Sequence, residues 1–210
     1  MGVREEKRAR TRDQILSTTV ELFRERGFAA TRVADVIERV GISEKTFFNY
    51  FPSKEAVLEA QAHETADLYV ALLHNLLARA DEPVRTRLEE LARALATAFS
   101  GDREWMTLLV TNTNLFFGAQ GDQRRRDRAA QELLGELFRA GQKAKEVRRD
   151  VDARQLAELY TAAFLLTTVN WLTDWWDEDE PLEVRLPRAI GVMLDGCMTR
   201  GSSARGRPRR

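Results

Sequence analysis

The sequence predicts an all-α fold, with a small N-terminal unit of three helices followed by a larger unit of six. Apolar residues recur at helical spacing along most of the 210 residues, and few stretches alternate between apolar and polar residues as half-buried strands do. Only five prolines are present, and short clusters of Gly, Ser, Asp and Pro separate the periodic segments. We therefore expect helices joined by short turns throughout.

The first three helices are predicted from their start and stop signals. A first helix should span Glu6–Arg26 and end at Gly27, because glycine favours the position after a helix C-terminus. Thr31 is expected to cap a short second helix that ends at Gly41, and Ser43 to cap a third helix directly afterwards. A short helix, a tight glycine turn and another short helix are typical of a helix-turn-helix motif.

The third helix carries an aromatic run. At about 100° per residue from Glu44, Phe47 and Phe51 fall near 300° and 340°, and Phe48 near 40°. This arc predicts one apolar wedge against the first two helices. The side between about 100° and 240° carries four polar side chains: Lys45, Thr46, Asn49 and Tyr50. Such groups suit the base edges and phosphates of DNA, so the run is expected to be core, with Tyr50 as the exception.

The segment Glu25–Val57, ERGFAATRVADVIERVGISEKTFFNYFPSKEAV, resembles the DNA-binding domain of the TetR family of transcriptional regulators. The Arg-Gly-Phe turn, the Gly-Ile-Ser turn and the aromatic run into Phe-Pro-Ser-Lys follow in the order typical of that family. The resemblance implies phosphate contacts from the start of the second and fourth helices and major-groove contacts from the third. The residues it assigns to DNA are Thr31, Arg32, Glu44, Lys45, Thr46, Asn49, Tyr50 and Lys54.

Position 48 departs from the family pattern, which has tyrosine where this chain has Phe48. The family's tyrosine hydroxyl touches a phosphate, and a phenyl ring has no group for that contact, so we interpret Phe48 as part of the wedge. Nearer the N-terminus, Arg8, Arg10 and Arg12 either form an arm beside the minor groove or are simply solvated.

Six longer helices are predicted after Ser53, over about residues 54–79, 83–99, 103–113, 120–147, 152–176 and 182–199. We divide the chain into a DNA-binding unit at 1–55, an effector-binding and dimerisation unit at 56–199, and a basic tail at 200–210. The tail, RGSSARGRPRR, is low in complexity and expected to be disordered. It either adds non-specific DNA affinity or is solvated.

Two C-terminal segments predict a contact with a partner. The run LAELYTAAFLLTTVNWLTDWW is apolar almost all round, so one face should pack on the core and another on a partner. Its polar residues leave fewer apolar positions in a row than the roughly 18 of a membrane span. The last helix carries an apolar stripe: Leu186, Ile190, Met193, Leu194 and Cys197. The resemblance implies that both helices join a four-helix bundle in a homodimer.

The resemblance also implies a pocket for a small effector between the DNA-binding unit and the dimer helices. Its candidate lining is His63, Tyr69, Trp105, Met106, Leu109, Asn112, Phe116, Phe117, Phe164, Thr168, Trp171 and Trp175. The large apolar members serve equally well as packing core, and the polar members as hydrogen-bonding groups between helices. If the set does line a pocket, its aromatic content favours a hydrophobic or flat ligand.

Charge and reactive residues limit the function classes. The 33 Lys and Arg balance 33 Asp and Glu, but the net charge is +2 over residues 1–55, −7 over 56–199 and +5 over 200–210. Positive charge at both ends is compatible with DNA binding. The single cysteine and the lack of a secretory signal indicate a cytoplasmic protein. His63 and His74 would lie about 16.5 Å apart on one helix, too far to share a metal ion.

No phosphate-binding loop or nucleophile motif occurs in the chain, so we expect no enzyme activity, no cofactor, no metal and no membrane association. The sequence predicts a cytoplasmic TetR-type regulator, a repressor that binds a palindromic double-stranded DNA operator as a homodimer and is released by a small hydrophobic or aromatic effector. The alternative is a ligand-binding or protein-interaction module whose helix-turn-helix no longer recognises DNA. It is open because Phe48 lacks a hydroxyl and Glu44 is acidic.

Overall fold

The computed structural model describes residues 2–113, 115, 121–175 and 179–198. The helices of these residues are α1 (Val3–Arg26), α2 (Val33–Val40), α3 (Glu44–Tyr50), α4 (Lys54–Ala78), α5 (Val84–Gly101), α6 (Arg103–Asn112), α7 (Gly121–Lys143), α8 (Ala153–Leu172) and α9 (Leu182–Cys197). The all-α prediction is confirmed. The predicted ends of α7 and α8 lie about one turn too far, because Lys145 and Asp174 adopt positive φ angles of 63° and 51° that a helix cannot contain.

Glycine and serine set the helix ends in the N-terminal unit. Gly27 and Gly41 have φ angles of 82° and 73°, a region that glycine adopts without strain. The Ser43 hydroxyl oxygen accepts the Thr46 main-chain N–H at 3.1 Å and so caps α3 as predicted. Ser53 caps α4 in the same way through the Ala56 N–H.

The predicted cap of α2 is wrong, because Arg32 and not Thr31 is the N-cap residue. The Asp35 carboxylate accepts the Arg32 main-chain N–H at 2.8 Å. This hydrogen bond, followed by the one from the Arg32 side chain, lowers the pKa of Asp35. The Thr31 hydroxyl instead turns into the protein, where it donates to the carbonyl oxygens of Gly27 at 2.8 Å and Leu22 at 3.2 Å.

Two hydrophobic cores meet along α4. The smaller core joins α1, α2, α3 and the start of α4 through Ile15, Leu16, Leu22, Val36, Phe47, Phe51, Val57 and Ala60. The larger core fills the space among α4–α9, where the buried Tyr160 hydroxyl donates to the Leu88 carbonyl oxygen at 2.9 Å. Since Leu58 and Ala62 belong to the larger core, α4 is shared by both units. The domain division at residue 55 stays a prediction.

The apolar stripe of α9 faces inward. Leu186, Ile190, Leu194 and Cys197 are buried within the chain itself, and α9 packs against α5 and α8. The assignment of Leu186, Ile190 and Leu194 to a dimer interface is therefore wrong. Met193, which is partly exposed, and Cys197 line a groove between α8 and α9, and their place at an interface stays a prediction. Within the part of the chain that the structure describes, no helix is both long enough and apolar enough to cross a membrane.

Candidate DNA-binding face and effector cavity

The exposed face of α3 differs from the predicted one. Glu44, Lys45, Phe48 and Asn49 are exposed, and they occupy an arc from about 0° to 140° around the helix axis. Phe48 is 46% exposed and lies within this arc, so its assignment to the apolar wedge is wrong. The wedge consists of Phe47 and Phe51, which are 0% and 3% exposed.

Three further predicted contacts lie outside this exposed arc: Thr46 and Tyr50 on α3, and Arg32 at the start of α2. Thr46 and Tyr50 are half-buried; the Thr46 hydroxyl lies 2.8 Å from the Ser43 hydroxyl, and Tyr50 packs on the smaller core. The Arg32 side chain is exposed, with its Nη2 3.3 Å from the Asp35 carboxylate. Their DNA contacts stay predictions.

Two predicted phosphate contacts are used inside the protein. Thr31 is 1% exposed, and its hydroxyl donates to the carbonyl oxygens of Leu22 in α1 and of Gly27 at the end of that helix. The Lys54 ammonium donates to the carbonyl oxygens of Phe28 at 2.7 Å and Thr31 at 3.0 Å, and it lies 4.5 Å from the centroid of the Phe28 ring. Both side chains therefore hold the turn between α1 and α2, and neither is free for DNA.

The three N-terminal arginines are helical. Because α1 begins at Val3, Arg8, Arg10 and Arg12 do not form an extended arm. The Arg12 guanidinium carbon lies 5.3 Å from the centroid of the Phe51 ring, and thus stacks on the end of the wedge.

A small apolar cavity lies among α4, α5, α6 and α8, with a volume of about 200 Å³. Three predicted residues line it: Tyr69, Met106 and Phe164. The prediction missed the rest of its wall: Thr65, Ala66, Leu68, Leu72, Ala94, Leu95, Ala98, Phe99 and Leu115. The helical repeat of apolar residues in α5 was the available signal, but it does not distinguish a cavity wall from packed core.

Aromatic rings form the floor of this cavity. The Tyr69 and Phe164 rings stack with centroids 6.4 Å apart, and the edge of Phe99 meets Phe164 at 5.8 Å. Burial raises the pKa of the Tyr69 hydroxyl above its ordinary value. The cavity therefore offers apolar contacts and a neutral hydroxyl, which suit an uncharged hydrophobic ligand portion.

The other predicted lining residues that the structure describes lie outside this cavity. Leu109 and Thr168 are fully buried in packed core, and Trp171 stacks beneath the Arg103 guanidinium at 4.4 Å. Trp175 is exposed. His63 is half-buried, and burial, with a smaller effect from Arg126, lowers its pKa. Phe116 and Phe117 lie outside the described residues.

The remaining two predicted residues, Trp105 and Asn112, line a separate cleft of about 410 Å³ between α1 and α6. Here Arg24 of α1 joins the two units. Its Nη2 lies 2.8 Å from the Asp102 carboxylate, and its guanidinium carbon lies 5.0 Å from the centroid of the Trp105 ring. Trp105 and Met106 are consecutive residues of α6. This helix therefore lines the cavity through Met106 and contacts Arg24 of α1 through Trp105.

The two units match two family models. Residues 15–60 match the model described as bacterial regulatory proteins, tetR family, and residues 81–185 match the tetracyclin repressor-like C-terminal domain. The chain belongs to the TetR family of transcriptional regulators. The match to the helix-turn-helix unit and the match to the larger helical unit both support this membership.

Curated relatives of this TetR-family chain are transcriptional regulators. EthR of Mycobacterium tuberculosis is 35% identical over 117 residues, which are 56% of this chain and 45% of that protein. TcmR of Streptomyces glaucescens is 36% identical over 72 residues, 34% of this chain and 32% of that protein. The matches thus span less than half the length of these relatives.

Solved TetR-family structures share the fold over most of their length. FadR of Thermus thermophilus in complex with lauroyl-CoA has a TM-score of 0.66 at 24% identity, over 93% of this chain and 99% of that one. FadR of Bacillus subtilis in complex with stearoyl-CoA has a TM-score of 0.67 at 16% identity, over 87% and 97%. SmeT with triclosan has a TM-score of 0.69 at 18% identity, over 95% and 99%.

Proposed function

We propose that this TetR-family regulator is a cytoplasmic homodimeric repressor that binds a palindromic operator through α3 and is released by a small hydrophobic or aromatic effector. The exposed arc of α3 carries the proposal. Asn49 can form two hydrogen bonds with adenine, and Lys45 can donate to guanine or to phosphate. Glu44 is compatible with this role, because a carboxylate can accept the amino group of cytosine.

The surface formed by α8 and α9 supports the homodimer. Leu159, Leu166 and Val192 are exposed there, on either side of an apolar groove between the two helices. A second copy related by a two-fold axis would cover this face. It would also place two α3 helices for half-sites about 34–36 Å apart.

Two helices support coupling between the cavity and the DNA-binding unit. The first is α4, which holds the α1–α2 turn through Lys54 and lines the cavity with Tyr69. The second is α6, with Met106 at the cavity and Trp105 under Arg24 of α1. A cavity of about 200 Å³ is below the usual range of about 300–1,000 Å³, so we expect a ligand of ordinary size to widen it and thereby to displace these helices.

Such a displacement would alter the spacing of the two α3 helices in the dimer. An allosteric coupling of about 1–3 kcal/mol would weaken operator binding about 5- to 150-fold. The effector class is supported by the aromatic floor of the cavity and by the acyl-CoA and triclosan complexes of proteins with this fold.

The DNA-binding part of the proposal is tested by fluorescence anisotropy with DNA from the region upstream of the protein's own gene and a scrambled control, at about 0.15 M salt. We expect the native DNA to bind at least about 10³-fold more tightly. If both bind equally, selection from random-sequence DNA is the next step. Failure to enrich any sequence would favour the module that no longer recognises DNA.

Asn49→Ala tests the face itself. We expect the variant to lose about 1–3 kcal/mol of specific affinity with an unchanged melting temperature. Asn75→Ala, the same change at an exposed position of α4, is the control and should bind like the parent protein. Equal affinity of Asn49→Ala and the parent protein would remove Asn49 from the proposed face.

The effector part is tested by filling the cavity. Ala98→Trp places an indole at the cavity wall and should abolish release by hydrophobic compounds, tested with acyl-CoAs and triclosan, while leaving DNA affinity unchanged. Ala78→Trp, at the exposed end of α4 away from this cavity, is the matched control. Release that persists in Ala98→Trp would place the effector elsewhere.

A further inference from the structure

The Phe48 side chain is the one exposed phenylalanine in the part of the chain that the structure describes. Its neighbours in the aromatic run, Phe47 and Phe51, are buried. At about 100° per residue, Phe48 falls near 40°, between Glu44 at 0° and Lys45 at 100°. The ring therefore stands inside the exposed arc of α3 rather than at its border.

This ring has a fixed position. Phe48 meets Phe47 edge to face, with centroids 5.4 Å apart and planes at 90°, and Phe47 is locked in the smaller core. The Ser43 cap fixes the start of the same helix. The phenyl ring is thus presented to the outside at little further cost in side-chain entropy.

A phenyl ring can make only apolar contacts on the DNA surface. Phosphates and most base edges in the major groove need hydrogen-bonding partners, and the apolar feature of that groove is the C5-methyl group of thymine. We propose that Phe48 contacts a thymine methyl group and selects thymine at one position of each half-site. The proposal rests on DNA binding through α3, as proposed above, and makes Phe48 a specificity residue beside Lys45 and Asn49.

The test is to replace thymine by uracil, which removes the methyl group and keeps every hydrogen-bonding group. The operator is first obtained with the full chain, from upstream DNA or random-sequence selection, and each thymine is then replaced singly. One position in each half-site should lower the affinity about fourfold, as expected for one buried methyl-sized group. In Phe48→Ala the affinity for thymine DNA should fall, and the difference between thymine and uracil at this position should vanish.

Two variants separate this contact from general damage. Phe48→Leu keeps an apolar side chain and should retain part of the thymine preference. Lys45→Ala should weaken thymine and uracil operators by the same factor and so keep their ratio. Melting temperatures show that each variant is folded.

The outcomes distinguish this proposal from the one on which it rests. The role of Phe48 is overturned if the protein binds its operator specifically but no single replacement of thymine by uracil lowers the affinity. It is also overturned if the loss of affinity with uracil persists in Phe48→Ala. Either outcome leaves operator binding intact. Absence of specific binding to any DNA overturns both. A uracil effect at one symmetric pair of positions that disappears in Phe48→Ala supports the assignment.

Discussion

The exposed faces of α3 and of the α8–α9 pair differ in chemistry. The exposed face of α3 carries three polar or charged side chains, Glu44, Lys45 and Asn49, beside the ring of Phe48. The α8–α9 face presents three apolar side chains, Leu159, Leu166 and Val192. Protein–DNA interfaces are polar and hydrated, and permanent homodimer interfaces resemble a core cut in half. The difference is what the proposed partners require, DNA for the first face and a second copy of the chain for the second.

The largest expected effect comes from placing a charge on the α8–α9 face. Leu166→Glu removes an apolar contact and buries a carboxylate twice in a two-fold interface. At about 1.5–3 kcal/mol for each leucine, the dimer dissociation constant should rise about 10²- to 10⁴-fold. Analytical ultracentrifugation measures this constant.

The control is a leucine of matched exposure on another surface. Leu68 is 72% exposed and Leu166 is 65% exposed, so Leu68→Glu introduces the same charge on α4, in the wall of the cavity and outside the α8–α9 groove. It should leave the dimer intact. Dissociation by both variants, or by neither, would contradict the assignment of the α8–α9 face.

Lys54 and Lys45 should affect different properties, stability for the first and DNA affinity for the second. Lys54→Met removes the ammonium that binds the Phe28 and Thr31 carbonyl oxygens, and should lower the free energy of unfolding by about 1–3 kcal/mol. Lys45→Met, on the exposed arc, should change it by less than about 0.5 kcal/mol and should weaken DNA binding instead.

Urea denaturation and salt-dependent anisotropy measure the two properties. If Lys45 contacts a phosphate in each half-site, the slope of log affinity against log salt falls by about two in the variant dimer, one for each subunit. Unchanged stability of Lys54→Met would mean that its two carbonyl contacts contribute little in solution.

A smaller effect is expected at the junction that connects the two units. Arg24 and Asp102 are both about half exposed, so a double-mutant cycle with alanine at both positions should give a coupling of about 0.2–1 kcal/mol in stability. Trp105→Leu removes the stacking partner of Arg24 and should reduce this coupling. A coupling near zero in the parent protein would mean that the Arg24–Asp102 pair contributes nothing measurable to stability.

The smallest expected effect is a pH dependence in the N-terminal unit. The Arg32 main-chain N–H lowers the pKa of Asp35 below its ordinary value, so Asp35 stabilises the fold above the unfolded value of about 3.9, and this is lost as pH falls through the folded pKa. The melting temperatures of the parent protein and Asp35→Asn should therefore differ more at neutral pH than near pH 3. Calorimetry between pH 3 and pH 7 measures both melting temperatures. A difference that stays constant with pH would exclude stabilisation by the ionised Asp35 carboxylate.

Local signals predicted the helices of this protein well. Gly27 and Gly41 end helices where a left-handed or otherwise positive φ is required, and Ser43 caps α3 through its own neighbours in sequence. These interactions join residues a few positions apart, so the sequence contains all the information they need. The TetR resemblance extended the prediction to the family, which the matches to both units confirm.

The rotation of each helix was decided by tertiary packing. A helical wheel gives the angles between side chains but not which angle points to the core. Phe48 and three residues of the α9 stripe were placed on the wrong sides for this reason. The smaller core buries Phe47 and Phe51 without Phe48, and α5 and α8 cover Leu186, Ile190 and Leu194 from within the chain.

The sequence by itself determined the all-α class, the helix-turn-helix order, the family and the presence of Lys45 and Asn49 on the outer side of α3. Only the tertiary structure decided that Thr31 and Lys54 hold a turn, that Phe48 is exposed and that the apolar cavity is bounded by α5. These properties depend on contacts such as Lys54 to Phe28, 26 positions apart, and contacts at that separation follow from packing in three dimensions rather than from local spacing.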